Sequence, residues 1–159
     1  DIAVKDREER QNCDCILKRG VSVLVLDSRL EIRPDYIKSF KYTITGNCGN
    51  VFNPSTGHCL KQATLTRTYD VSGDRLKAKR FTFSIYFFLG EDDVTDITLT
   101  TQSIDTEDKV AKNLSFETVH MVKGKMTTYK GPFLSTHSAA SFFIDSPTIP
   151  GSGFNTEFE

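Results

Sequence analysis

The sequence predicts an all-β protein, an antiparallel β-sandwich with a closed barrel as the alternative. Three observations predict this class: apolar and polar residues alternate with a period of two after Gly20, turn residues separate short candidate strands, and no long stretch has the helical period. The 159 residues are enough for one domain with its own core. We therefore expect residues 1–159 to form a single β-rich domain.

The first candidate strands follow a charged segment at residues 1–19. Residues 21–26 are β-branched and apolar on both faces, which is typical of a strand covered on both sides. Phe40, Tyr42 and Ile44 alternate with polar residues and predict a second strand. The glycines and asparagines at 46–50 then predict a tight loop.

The clearest strand lies within residues 75–89, where Phe81, Phe83, Ile85 and Phe87 share one face. It should be a central core strand, and a meander is the simplest topology for the strands around it. Further strands are predicted within residues 60–71, 97–104, 114–122, 125–130 and 142–144, and residues 147–159 are expected to form an extended surface tail.

The charge balance excludes some functions. The 20 basic and 21 acidic residues give a net charge of −1, which removes the overall attraction expected of a nucleic-acid-binding protein. The longest apolar run, residues 85–89, is far shorter than the roughly 20 residues of a membrane-spanning helix. We expect no nucleic-acid partner, no membrane insertion and a monomer.

The chain has four cysteines, Cys13, Cys15, Cys48 and Cys59. Zinc sites usually place two to four residues between paired cysteines, a spacing that neither pair has, even with His58 as an added ligand. A bond between Cys13 and Cys15 would close too small a ring. We therefore expect Cys13 and Cys15 each to be bonded to Cys48 or Cys59, in either order, which staples residues 1–19 to the sheet.

Disulfide bonds indicate an oxidising compartment, so the protein is expected to be secreted or extracellular. One N-glycosylation sequon, Asn113-Leu114-Ser115, is consistent with that location. It follows a charged stretch that should lie at the surface, and Asn113 is therefore a possible glycosylation site.

A basic face is the most prominent charged feature. Alternation places Arg75, Lys77 and Lys79 on one side of a predicted strand, and Lys61 and Arg67 could join them. Such a face suits a sulfated glycan, a phosphoinositide headgroup or an acidic protein. A lysine-rich edge that blocks aggregation beside residues 81–89 would have the same sequence.

No arrangement predicts catalysis or a resident metal. Two acidic clusters, at residues 91–96 and 105–108, have oxygen ligands that suit calcium but lack the EF-hand spacing. His58, His120 and His137 have no catalytic motif around them, although Ser135, Ser138 and Ser141 lie near the last. We expect no enzyme activity, no cofactor and no metal site.

These observations favour a small secreted, disulfide-stapled β-sandwich that binds a protein or glycan partner outside the producing cell, as effectors, toxins and virulence factors do. A carbohydrate-binding or carbohydrate-active protein is the first alternative, although the chain has no tryptophan for sugar stacking. The second alternative is a lipocalin-like carrier, whose phenylalanines would line a barrel cavity.

Overall fold

The prediction of an all-β sandwich is confirmed. A computed structural model describes residues 19–29, 31–72, 81–135 and 142–148, and these ranges contain strands and no helix. In chain order the strands are β1 (Val21–Asp27), β2 (Ile37–Gly46), β3 (Cys48–Gly49), β4 (Phe52–Asn53), β5 (His58–Cys59), β6 (Leu65–Asp70), β7 (Thr82–Leu89), β8 (Val94–Asp105), β9 (Val110–Val122), β10 (Met126–Lys130) and β11 (Phe143–Thr148).

The strands form two main sheets and one small hairpin. The five-stranded sheet has the order β11-β10-β1-β7-β3, and the four-stranded sheet has the order β6-β2-β8-β9. Among the described strands, β4 and β5 pair only with each other. Neither main sheet closes on itself, so the alternative of a closed barrel is wrong, and the lipocalin-like carrier loses its structural basis.

The expectation of a simple meander is also wrong. Strand β7 pairs with β1 and β3, whereas β8 pairs with β2 and β9, so the chain passes from one sheet to the other between β7 and β8. One pairing is parallel: β1 lies beside β10, with Val23 opposite Met126. Period-two patterns define strands but do not encode which distant strand becomes the neighbour.

The core lies between the two sheets. Leu24 and Leu26 of β1 face inward, and opposite them in register are Ile85 and Phe83 of β7. The Phe83 ring stacks on Phe40 of β2 with centroids 4.2 Å apart. The phenylalanines predicted to share one face of β7 are all buried, and they pack against other side chains of the core.

A buried carboxylate fixes the segment that follows β10. The two oxygens of Glu31 accept hydrogen bonds from the backbone N–H groups of Leu134 and Ser135, each at 2.7 Å. Burial raises the pKa of Glu31, although these N–H groups and the nearby Lys112 act in the opposite direction. The contact holds Phe133 and Leu134 in the core.

Candidate partner-binding surface

The outer face of the five-stranded sheet is apolar at its centre. Residues directly opposite each other on paired strands share a face, and Tyr86, Val23 and Met126 form such a row across β7, β1 and β10. Phe88 lies opposite Val21 in the next row. We use the name outer strip for seven residues: Val21, Val23, Val25, Phe52, Tyr86, Phe88 and Met126.

The strip is separate from the sandwich core. Val23 is only 5% exposed, yet it does not belong to the buried cluster between the sheets. Tyr86 is 66% exposed, which is high for an aromatic residue in a strand that is otherwise well packed. Exposed apolar side chains that lie together, rather than singly, are typical of interaction sites.

The β4–β5 hairpin extends the strip beyond the edge of the sheet. The Phe52 ring lies 4.9 Å from the Phe88 ring, centroid to centroid. A Cβ at Gly20 would lie 3.0 Å from Phe52 Cε2, so the absence of a side chain at position 20 lets the ring lie against the backbone. Phe52 remains 42% exposed in this position.

Three polar side chains connect the hairpin to the body of the sandwich. Lys123 Nζ lies 3.0 Å from His58 Nε2 and 3.2 Å from Asp93 Oδ1. An ammonium group can only donate, so a hydrogen bond between these two atoms has Nε2 as its acceptor. The other ring nitrogen, Nδ1, is buried and has no hydrogen-bond partner among the described residues. We call His58, Asp93 and Lys123 the charged clamp.

Ion pairs lie at the far end of the same face. Lys130 contacts Asp145 at 2.7 Å, and Asp27, opposite Lys130 in register, contacts Arg29 at 2.7 Å. The hydrogen bond from Arg29 lowers the pKa of Asp27. An apolar centre bordered by charged groups is the usual arrangement of a protein–protein interface.

The outer face of the four-stranded sheet has a different chemistry. It consists mainly of hydroxyl and amide groups in rows across the strands, with few charges. Hydroxyls dominate the first row, where Thr43 and Thr66 are hydrogen bonded at 3.1 Å. The two rows are Thr66, Thr43, Thr100 and Ser115, and Thr68, Lys41, Gln102 and Asn113.

The predicted basic face lies only partly within the described residues. Arg67 is on β6 opposite Tyr42, and its guanidinium lies 4.9 Å from the centre of the Tyr69 ring. Lys61 is exposed in the segment between β5 and β6. Arg75, Lys77 and Lys79 are outside the described ranges, so a common basic face remains a prediction.

The two described cysteines differ in accessibility. Cys48 is fully buried in the core, and burial, with a smaller effect of Cys59, raises its pKa to about 11. Cys59 is partly exposed on β5. These two are not bonded to each other, and Cys13 and Cys15 lie outside the described residues. The described chain begins at Arg19 and Gly20, beside the hairpin that carries Cys59.

Two residues that the sequence offered for catalysis or calcium binding, His120 and Asp105, have hydrogen-bond partners within the fold. His120 Nδ1 lies 3.1 Å from Asp96 Oδ1, and Asp105 accepts hydrogen bonds from the backbone of its own turn. No group of three or more potential metal ligands occurs within the described ranges. Asn113 is exposed on β9, where a glycan would have space, and His137, Ser138 and Ser141 lie outside these ranges.

Sequence reasoning missed the outer strip. The alternation in residues 81–89 predicts the buried face of this strand, but it gives no role to Tyr86 and Phe88 on the other side. Residues 21–26 did indicate the outer strip, because apolar side chains on both faces predict a strand whose two faces are both covered. Among the described residues, only the inner face is packed against the opposite sheet.

The fold and the strip together define a β-sandwich domain with an exposed apolar sheet face. No known family model and no curated protein matches the sequence. A structural match is a Bacteroides ovatus crystal structure described as a "putative cell adhesion protein", with 14% identity and a TM-score of 0.46. It covers 83% of this chain but only 45% of the other, and so distant a likeness carries no argument about function. None of the described residues forms a helix that could span a membrane.

Proposed function

We propose that this chain is a non-enzymatic binding domain that recognises a protein partner outside the producing cell through the outer strip. The observation that carries the proposal is the outer face of β1. Val21, Val23 and Val25 give the strand a second apolar face, and the described part of the chain packs only the first against the opposite sheet.

The chemistry of the strip favours a protein over a sugar. Aliphatic side chains gain free energy when apolar area leaves water, about 25 cal/mol per Å². They offer no hydrogen bonds to the hydroxyls of a carbohydrate. Tyr86 adds an exposed aromatic side chain at the centre, and tyrosine is enriched among the residues that contribute most to protein interfaces.

We also propose that the protein is secreted and that disulfide bonds attach its N-terminal segment to the sheet. Cys59 is the accessible thiol beside the point where the described chain begins, so it is the natural partner for Cys13 or Cys15. The thiol of Cys48 is fully buried and therefore less accessible for the second bond. We therefore propose that the bond to Cys59 forms first, in an oxidising compartment.

The test compares two matched charge substitutions on opposite faces. Tyr86→Lys places a cation in the strip, whereas Thr100→Lys places one on the four-stranded sheet. Both sites lie on solvent-facing sides of their sheets, so circular dichroism should show that both variants fold. The wild-type chain is used to capture its partner from the extracellular proteins of its source, and affinities are then measured with the purified partner.

We expect Tyr86→Lys to weaken binding by about 30-fold or more, the loss typical of a central interface residue. Thr100→Lys should bind as the wild type does. Equal affinities for the two variants, or a loss confined to Thr100→Lys, would show that the strip is not the binding surface.

A carbohydrate-binding function is the second candidate, and the hydroxyl and amide rows of the four-stranded sheet favour it. Thr100, Gln102 and Asn113 present donors and acceptors together on that face. A glycan array with the same two variants separates the candidates. Sugar binding that Thr100→Lys abolishes and Tyr86→Lys leaves intact would support the carbohydrate function instead.

A further inference from the structure

One edge of the five-stranded sheet is only partly covered. Strand β3 pairs with β7 through only two of its own residues, Cys48 and Gly49. The chain then turns away from this edge, because the Leu60 N–H donates to Val51 O at 2.7 Å and joins Val51 to the segment after β5. Among the described strands, none lies beside residues 82–87 of β7 on that side.

Two hydrogen bonds show to which side each backbone group of β7 points. The Ser28 N–H donates to Phe81 O at 2.9 Å, in register with β1, so the odd-numbered residues of β7 bond to β1. The Gly90 N–H donates to Asn47 O at 2.8 Å on the opposite side, so the even-numbered residues point towards β3. This alternation is the normal pattern of an antiparallel ladder.

Three residues therefore direct their backbone groups to the uncovered edge. They are Thr82, Ser84 and Tyr86. Each has one N–H and one C=O that no described strand pairs with on that side, and the three side chains are exposed. Because Tyr86 belongs to the outer strip, the uncovered edge and the strip are continuous.

This edge lacks the features by which sheets usually avoid pairing with other chains. Charged residues, prolines and bulges protect most exposed edges. Residues 81–89 contain neither a charged residue nor a proline, and β7 pairs with β1 in an unbroken register. The edge strands of the other sheet are different, since β6 carries Arg67 and β9 carries Lys112. The uncovered part of β7 is therefore a suitable template for one more strand.

The surroundings of the edge restrict which side chains such a strand can carry. On the inner face, the ring of Tyr69 lies 5.3 Å from that of Phe83, and Tyr69 is only partly buried. A strand added beside β7 directs every second side chain to this face. Apolar residues at those positions would cover Tyr69, whereas the residues between them would lie beside Tyr86 on the outer face.

We propose that the partner contributes an extended segment that pairs with the uncovered edge of β7, antiparallel to it and in line with β3. Main-chain hydrogen bonds to Thr82, Ser84 and Tyr86 supply affinity, and alternate apolar side chains that contact Tyr69 supply specificity. The partner is thus a protein with an exposed extended segment that has apolar residues at every second position. The proposal rests on the function proposed above, since it assigns how the same partner is held.

The first test measures amide hydrogen exchange of the chain without any partner. The N–H groups of Ser84 and Tyr86 point to the uncovered edge, whereas those of Phe83 and Ile85 bond to β1. We expect the first pair to exchange about 100-fold faster than the second, or more. Equal protection of the four amides would show that another part of the chain covers the edge, and it would overturn the proposal.

The second test compares two substitutions at one position, with the purified partner of the Tyr86→Lys experiment. Ser84→Pro removes the outward N–H, whereas Ser84→Ala keeps it and removes only the hydroxyl. Proline is accepted in a strand where its missing N–H would face solvent, so circular dichroism should show that both variants fold. We expect Ser84→Pro to weaken binding by about tenfold or more, because one hydrogen bond is lost and the ring obstructs the added strand. Ser84→Ala should bind as the wild type does.

Equal affinities of the two Ser84 variants would overturn the proposal, even if Tyr86→Lys weakens binding, because the partner would then use the strip without the edge. If Ser84→Pro does not fold, exchange is measured in the wild-type complex instead. The Ser84 and Tyr86 amides should become about tenfold more protected there, or more, and unchanged exchange would overturn the proposal. A partner that loses affinity for Ser84→Pro but not for Tyr86→Lys would support the edge and refute only the function assigned to the strip.

Discussion

Replacement of Glu31 by alanine tests whether one buried carboxylate holds the segment after β10 in place. Glu31→Ala removes the acceptor of two backbone N–H groups, those of Leu134 and Ser135. A hydrogen bond to a charged group contributes about 1.5–3 kcal/mol, and an orphaned buried donor costs a similar amount. For the charged form, desolvation outweighs these hydrogen bonds, which is why the pKa is raised, so the loss on substitution comes from the two buried donors left without an acceptor.

Taking about 1.5 kcal/mol for each of the two donors left without an acceptor, we expect Glu31→Ala to lower the free energy of unfolding by about 3 kcal/mol. For a chain of this size that loss corresponds to a decrease in Tm of about 6–12 °C. Urea denaturation followed by circular dichroism measures the change directly. A loss below about 0.5 kcal/mol would refute the assignment of Glu31 as the residue that fixes Leu134 and Ser135.

The pH dependence gives an independent check on the same residue. Burial raises the pKa of Glu31 in the folded protein, so its carboxyl group contributes stability that is fully present below its unfolded-state pKa. That contribution is lost as the pH rises through the folded-state pKa. The stability difference between the wild type and Glu31→Gln, which does not titrate, should therefore be larger at about pH 4 than at pH 7. A difference that grows with pH would mean that hydrogen bonds outweigh desolvation.

Two further predictions concern the thiols and one turn. In the reduced native protein, Cys59 should react with iodoacetamide at pH 8 while Cys48 does not, because Cys48 is buried and its pKa is about 11; peptide mass mapping that finds equal labelling would contradict this. Gly124→Ala should destabilise the fold by about 1–2 kcal/mol or more, since φ is 70° there and a Cβ would lie 2.5 Å from the backbone oxygen of Arg19. A urea midpoint equal to that of the wild type would count against this strain.

The strands themselves could be predicted from local sequence. Alternation in residues 81–89 identified the buried face of β7, because a strand's side chains point to opposite faces in turn. The two-residue strands β3, β4 and β5 were not predicted, and β3 lies within the loop predicted at residues 46–50. Two-residue strands are too short to show a period, and their residues include the glycines and asparagines typical of turns.

The residue clusters of the candidate site could not be predicted from local sequence, because they join residues that are far apart in the chain. His58 and Lys123 are 65 positions apart, and their contact depends on how β4–β5 lies against the turn after β9. The outer strip likewise requires the parallel pairing of β1 with β10. In the sequence, only the apolar residues on both faces of β1 indicated the outer strip.

The position of β1 in the five-stranded sheet sets the order in which the chain can fold during synthesis. Its partners are β7 and β10, which begin at Thr82 and Met126, so β1 leaves the ribosome long before either neighbour exists. At about 5–20 residues per second, several seconds pass in which its valines and leucines have no native partner. The β2–β6 pair and the β8–β9 hairpin need only nearer segments and can form earlier. Among the described strands, the apolar strand that supplies the candidate binding surface is therefore also the one that waits longest for a native partner in the nascent chain, where a chaperone could shield it.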